Sequence, residues 1–369
     1  MDRRRKKIII KLSVSAVLLA GAGILMLLFH HFPEAFFPGY RRFSAWLMDG
    51  ISRVVSFSKI ALWDFLEVLL ILLFIGSIIR MIVKRRLFLS WLSNVLMTVS
   101  VLAFLVVSMW MLNHYGPPLS ESLGLEIRAY TEEELCEAFL WYLDEASGEA
   151  ALVPRDEEGA LLRQDFYELA GIAGASYEAL GERYEIFRGS RQPVKKVWLT
   201  GEWLLTKGFT GEFMPFTAEA SVPENGDVSD LPFTMCHEAA HRLGIAGENE
   251  ANFSAYLACA ASEDVRFRYA GNFMAFIYLN NALNRENPGR LRKLLAARQD
   301  DPGTALVLRD ASIQRVHYEK YDGPIADAGD RVNDAYLKSF SEESGTKSYG
   351  EVVNELVAWY LENAESSGS

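Results

Sequence analysis

The sequence predicts three membrane-spanning helices followed by an α-rich α+β domain with a small sheet. Three apolar runs, at about 8–32, 60–83 and 89–112, fill the first third of the chain. Charge divides at the same place: residues 1–113 carry 14 Lys+Arg against 5 Asp+Glu, and the remainder carries 23 against 43. Past residue 113, helical periodicity dominates and only two stretches read as strands. The expected organisation is a membrane anchor over 1–113 and one large domain over 114–369. The acidity of that domain excludes nucleic acid as a partner, because a phosphate backbone would be repelled.

The first run follows Arg3, Arg4, Arg5, Lys6 and Lys7 and continues past Ala20-Gly21-Ala22 through Phe29. A cleaved secretory signal has a shorter apolar core, so an uncleaved span is expected. The other two runs approach the ~20 residues that cross a bilayer core of roughly 30 Å. Lys84, Arg85 and Arg86 lie between them, with Arg80 just before, whereas the Phe32–Lys59 loop carries Arg41, Arg42, Arg53 and Lys59. The excess of positive charge on one side makes the N-terminus cytoplasmic and the domain extracytoplasmic on the cell membrane; the inverted arrangement is the alternative. Phe36–Phe57 reads as an amphipathic segment on the membrane surface. Asp64 and Glu67, one turn apart at the outer start of the second span, fit the positive end of a helix dipole, with a functional role as the other reading.

Within the domain, Asn113–Pro118 forms the linker, and Thr131-Glu132-Glu133-Glu134 is a capping box opening a helix to about Ala146. Further helices are expected at about 161–180, 231–243, 249–262, 264–285, 325–339 and 349–364. Strands are expected at 194–199 and 213–222. Cys136, Cys236 and Cys259 form no disulfide framework and read as buried thiols.

Chemistry concentrates in His237-Glu238-Ala239-Ala240-His241. On a helix, the two histidines project from one face and can share a Zn²⁺ ion. Glu238 is offset by roughly 100°, outside the coordination shell yet near a bound water, as a general base requires. Pro232 and Gly244 bound a short helix. A catalytic zinc needs a third protein ligand. The segment after Glu250 is rich in small residues (Ala251, Ser254, Ala255, Ala258), so a second helix can approach closely. Glu250 is the expected ligand and Glu248 the alternative.

Glu248-Asn249-Glu250-Ala251-Asn252 after His-Glu-x-x-His resembles the Glu-Ala-Asn element of the IrrE/ImmA-like zinc peptidases, a gluzincin-type group. That resemblance implies Glu250 as third metal ligand. Almost the whole chain is also similar to an uncharacterised bacterial family of zincin-like membrane proteins. The similarity rests on the three spans, Asn113–Pro118, Pro215–Ala220, Pro232–Glu238 and Ser348–Val353. It implies a zincin-like metallopeptidase without an established substrate.

His317 and Tyr349 are candidate oxyanion donors, with packing as their other reading. Phe213, Pro215, Phe216 and Thr217 lie in a stretch that either aligns an extended substrate by β-addition or forms a plain hairpin. The expected function is zinc-dependent hydrolysis of peptide bonds in an extracytoplasmic protein or peptide, with the lipid bilayer as the other partner. The rival is a non-catalytic membrane sensor or peptide-binding protein on the same scaffold.

Overall fold

A computed structural model describes residues 3–84, 88–338 and 351–367. The chain begins with α1 (Arg3–His31), α2 (Pro33–Val54), α3 (Leu62–Val83) and α4 (Phe88–Met109), followed by a 3₁₀ turn at Met111–Tyr115. Helices α1, α3 and α4 are long and apolar enough to cross a membrane; at 1.5 Å per residue, α3 and α4 each reach about 33 Å. These features mark a membrane protein associated with the lipid bilayer. Lys11 on α1 bonds Asn94 on α4, and Gly21 lies against Phe104, so α1 and α4 run parallel. The basic residues at the start of α1 therefore share an end with Lys84, and His31, Leu62 and Met109 share the other end, beside the domain.

The remaining helices are α5 (Leu119–Leu123), α6 (Glu132–Ala150), α7 (Phe166–Ala175), α8 (Glu178–Arg183), α9 (Gly201–Thr206), α10 (Leu231–Arg242), α11 (Glu248–Ala260), α12 (Val265–Glu286), α13 (Pro288–Ala296), α14 (Pro302–Glu319), α15 (Pro324–Lys338) and α16 (Glu351–Ser367). Strands β1 (Lys195–Val197), β2 (Glu212–Met214) and β3 (Glu219–Pro223) form one sheet in the order β1-β3-β2, with β1 parallel and β2 antiparallel to β3. The main core gathers α6, α7, α10, α11, α12 and α16 around Phe139, Phe253 and Phe273.

The capping box at Thr131 and Glu134 is present at the start of α6. The helix expected over 161–180 is instead α7 and α8, because the Asp165 carboxylate caps the helix by accepting from the Glu168 amide. The expected strand over 213–222 folds as a hairpin: Pro215 to Ala218 make the turn, and Ala218 has φ 48°. The three cysteines are buried and free.

The segment between the first two spans contains α2, whose Tyr40, Ser44, Met48 and Ser52 recur every fourth residue and are buried. That stripe faces the protein: Ser44 donates to the Met109 carbonyl and Ser52 pairs with Ser190. Phe43, Trp46 and Val54 on the rest of the helix are exposed. Arg41 donates to the carbonyls of Leu243 and Ile186, so α2 is tied to the turn that ends α10.

Helix α3 is likewise built into the sheet. Glu219 on β3 accepts from the Leu62 and Trp63 amides at 2.9 and 2.8 Å, which satisfies donors that a helix N-terminus leaves open. The same carboxylate pairs with buried Lys195 at 2.7 Å. Asp64, fully buried, accepts from the amides of Trp198, Leu199 and Thr200 and from the Thr200 hydroxyl. It is thus a structural tie between a span and the β1–α9 loop, which neither the dipole-favoured nor the functional reading of the sequence included.

Candidate metal centre

Helix α10 carries the His-Glu-x-x-His segment, and its stop sets the geometry. Gly244 has φ 86°, a left-handed conformation that a side chain disfavours. It lets the Ile245 amide bond the Ala240 carbonyl and the Gly244 amide bond the His241 carbonyl, the double closure of a Schellman turn. The turn places the Ile245 carbonyl 2.8 Å from His241 Nδ1. A carbonyl only accepts, so Nδ1 carries the proton and Nε2 presents a lone pair. This is the outer-partner arrangement that orients a metal-binding imidazole.

His237 Nε2 and His241 Nε2 lie 3.0 Å apart. Glu248 completes the group: its oxygens are 3.3 Å from His237 Nε2 and 3.8 Å from His241 Nε2. Among the described residues, these three side chains bring one donor atom each within 4.8 Å of one another. Bonds of about 2.0–2.1 Å in a tetrahedral shell put donor atoms about 3.4 Å apart; the His237–His241 distance of 3.0 Å and the His237–Glu248 distance of 3.3 Å are close to this, and 3.8 Å separates His241 from the other Glu248 oxygen. The donor set therefore fits a zinc ion.

The expectation for Glu250 is not met by this geometry. The five-residue turn Leu243–Gly247 starts α11 at Glu248, so the first helical residue faces α10. Glu250 lies two residues on, rotated by about 200°, and its carboxylate accepts from the Leu119 amide at 2.7 Å. The close helix approach expected from small residues is present: Ala251, Ser254, Ala255 and Ala258 are fully buried.

Electrostatics follow from burial. Desolvation opposes ionisation of Glu248, but its hydrogen bond to His237 and the charges of His241 and His237 hold the carboxyl down at about 2. Burial lowers His241 to about 4 against the pull of Glu248, which favours the neutral, metal-binding imidazole. Glu238 is 4% exposed, and its Oε2 has no hydrogen-bond partner among the described residues. Burial first, then the charges of Glu248 and Glu212, push it up to about 8 against the opposing effect of His237. A carboxyl in that range can exchange a proton near neutrality.

These groups line a cleft of about 1030 Å³. One wall is Trp110 and Val106 from the end of α4, and another is Gly211 with β2. Trp110 Nε1 donates to the His241 carbonyl at 3.0 Å, and its ring lies 6.2 Å from the His241 ring. Gly211 packs directly on Glu238: a Cβ there would lie 2.5 Å from Oε1 and 2.7 Å from Cγ. Beside Trp110, whose ring lies 5.7 Å from that of His114, His114 bonds the cleft-lining Tyr336 of α15 at 2.9 Å.

Several expected site residues lie elsewhere. His317 does not line the cleft; it packs against Tyr318 and Tyr321, and the cleft tyrosines are Tyr278, Tyr318, Tyr321 and Tyr336. Tyr349 lies outside the described residues. Phe213 is on β2, the edge strand, whereas Pro215, Phe216 and Thr217 are in the turn after it; Phe216 stacks on Trp63 and Thr217 is buried. Trp110, Gly211 and the His114–Tyr336 pair were not legible as site residues. Trp110 reads from sequence as the end of a span, and a lone glycine before a strand signals nothing by itself.

No curated protein and no solved structure matches the chain. Residues 40–357 match the family described as Protein of unknown function (DUF3810), a stretch that begins within α2 and takes in α3, α4, the sheet and the whole His-Glu cleft. The chain belongs to this family of unknown function.

Proposed function

We propose that the protein is a membrane-anchored zinc metallopeptidase with a zincin-like site, in which His237, His241 and Glu248 hold the metal and Glu238 is the general base. The observation that carries this reading is the convergence of three donor atoms within 4.8 Å of one another beside a buried glutamate whose Oε2 has no hydrogen-bond partner among the described residues. A bound zinc ion supplies Lewis acidity to a scissile carbonyl and to the attacking water. Glu238 takes the water's proton and delivers it to the leaving amine. Gly211, by leaving no side chain, gives the Glu238 carboxylate its place in the cleft. The outer edge of β2 is not covered by another strand of the sheet and lies along the cleft, where an extended peptide can pair with it.

Both basic ends of the spans lie away from the domain, which supports an extracytoplasmic cleft on the cell membrane by the positive-inside rule. Replacement of Glu238 by Gln tests the catalytic reading. The variant should bind one zinc per chain and lose peptide hydrolysis by at least about 10²-fold, the usual worth of a general base. Undiminished hydrolysis by Glu238→Gln would refute the assignment, and a full biological role retained by that variant would favour a non-catalytic sensor.

A further inference from the structure

The position of the cleft relative to the spans points to its substrate class. Resting on the peptidase reading above, we infer that the substrate is a polypeptide itself embedded in the bilayer and cut within a few residues of where it leaves the hydrocarbon.

Two independent sets of contacts put the metal centre at the membrane surface. The first is α4. Val106, inside the span, and Trp110, one residue past its end at Met109, both line the cleft. Trp110 also bonds the His241 backbone. With ring centroids 6.2 Å apart, the donor cluster is about 10 Å from the end of the span. The hydrocarbon core is about 30 Å thick and the whole bilayer about 40–45 Å, so each headgroup layer occupies roughly 6 Å. A chain leaving the hydrocarbon in extended form covers about 3.3 Å per residue. About three residues then bring it to the metal.

The second set lies after β1, at the far edge of the sheet from β2, and in the β2–β3 turn. The β1–α9 loop is held on the first turn of α3 by Asp64, and Trp198 stacks on Phe65, a residue of that span, at 6.1 Å. Trp198, Leu199 and Trp203 are 58%, 46% and 49% exposed. On the neighbouring turn, Phe216 stacks on Trp63 at 6.0 Å. Exposed tryptophans at the level of a span's first turn are the residues that prefer the headgroup layer. The sheet, in the order β1-β3-β2, therefore has interfacial groups after β1 and in the β2–β3 turn, and α4 beside β2, where Trp110 lies 5.3 Å from Phe213. The wall at Val106 and Trp110 reaches down to the end of the span, so a polypeptide emerging from the bilayer stands beside the cleft, whereas a soluble peptide must be brought to it.

The test uses the full-length protein reconstituted in phosphatidylethanolamine/phosphatidylglycerol vesicles and loaded with zinc. The probe is a single-span polypeptide carrying an eight-residue randomised segment, separated from its span by 4, 12 or 40 Gly/Ser residues; the same segments without a span form a soluble arm. Products are read by mass spectrometry, with Glu238→Gln as the background. The 4-residue spacer should give the fastest initial rate. Dilution of a flexible tether as the −3/2 power of its length makes the 40-residue spacer about 30-fold slower. A cleft well above the membrane gives the opposite order, because a short tether cannot reach it. Equal rates in all arms, or cleavage of the 40-residue and soluble arms without the 4-residue arm, overturns the inference and leaves the peptidase reading standing. No product in any arm from zinc-loaded protein refutes the peptidase reading, and the inference with it.

Discussion

Truncating each of the two acids in the first turn of α11 separates the third ligand from its neighbour. The Glu248 carboxylate is 3.3 and 3.8 Å from the two imidazole nitrogens, close to the roughly 3.4 Å donor spacing of a tetrahedral zinc site. Glu248→Ala leaves two neutral imidazoles and no charge to offset the ion. Loss of an outer-shell partner alone costs 10–100-fold in metal affinity, so loss of a direct ligand should cost at least about 10²-fold, or about 2.7 kcal/mol. Glu250→Ala instead removes the acceptor of the Leu119 amide, a 2.7 Å bond. A part-buried donor left without its partner costs about 1–3 kcal/mol of stability, and zinc stoichiometry should not change. Both quantities are measurable on detergent-purified full-length protein, by competition with a chromophoric zinc chelator and by thermal unfolding. Zinc binding lost in Glu250→Ala and kept in Glu248→Ala would refute the assignment drawn from the geometry.

Three further outcomes follow from the same contacts. Metal removal should destabilise the protein: zinc at 100 times its Kd adds about 2.7 kcal/mol, so a chelator should lower Tm by about 5–10 °C, and a Tm indifferent to chelation argues against a bound ion. Gly211→Ala places a Cβ 2.5 Å from Glu238 Oε1 and forces the carboxylate to move by about 1 Å, a misplacement that costs about 10²-fold in rate; zinc content should stay at one per chain, and a wild-type rate would show that Glu238 need not hold this position. Asp64→Ala strips the acceptor from three backbone amides at 2.6–3.0 Å and should cost about 3 kcal/mol or more, read as a lowered unfolding temperature in detergent; an unchanged temperature would mean that the loop does not depend on this tie.

The legible part of the site is the part governed by one helix. His237, Glu238 and His241 are fixed relative to one another by the α-helical repeat, and Gly244 marks where that repeat stops. The third ligand depends on the phase at which the next helix begins, and that phase is set by the Gly244 turn and by Gly247 rather than by composition. Reading past the turn at the spacing of the peptidase element that the sequence resembles selects Glu250; the helix start at Glu248 instead puts that residue beside the two histidines, about 200° from Glu250. His317 fails as a site residue for a similar reason: its neighbour Tyr318, not His317, occupies the face of α14 that lines the cleft. The spans and the helix-rich character of the domain were legible because both are written in periodicity and apolar length.

The illegible part is the joint between membrane and domain, because it is made of polar groups whose partners are distant in sequence. Nothing local to Asp64 announces that it bonds the amides of residues 198–200, or to Glu219 that it caps the helix starting at Leu62, or to Arg41 that it reaches the Leu243 carbonyl. A charged side chain read alone is assigned to the nearest cheap explanation, such as a helix dipole or an interfacial position, although a buried one must find a partner. These ties change what the first 113 residues are. A chain starting at residue 114 would leave the carbonyls bound by Arg41, the amides bound by Asp64 and the wall formed by Trp110 without their partners. The spans are therefore part of the cleft's framework, and α10 and the sheet are tied to them by these contacts.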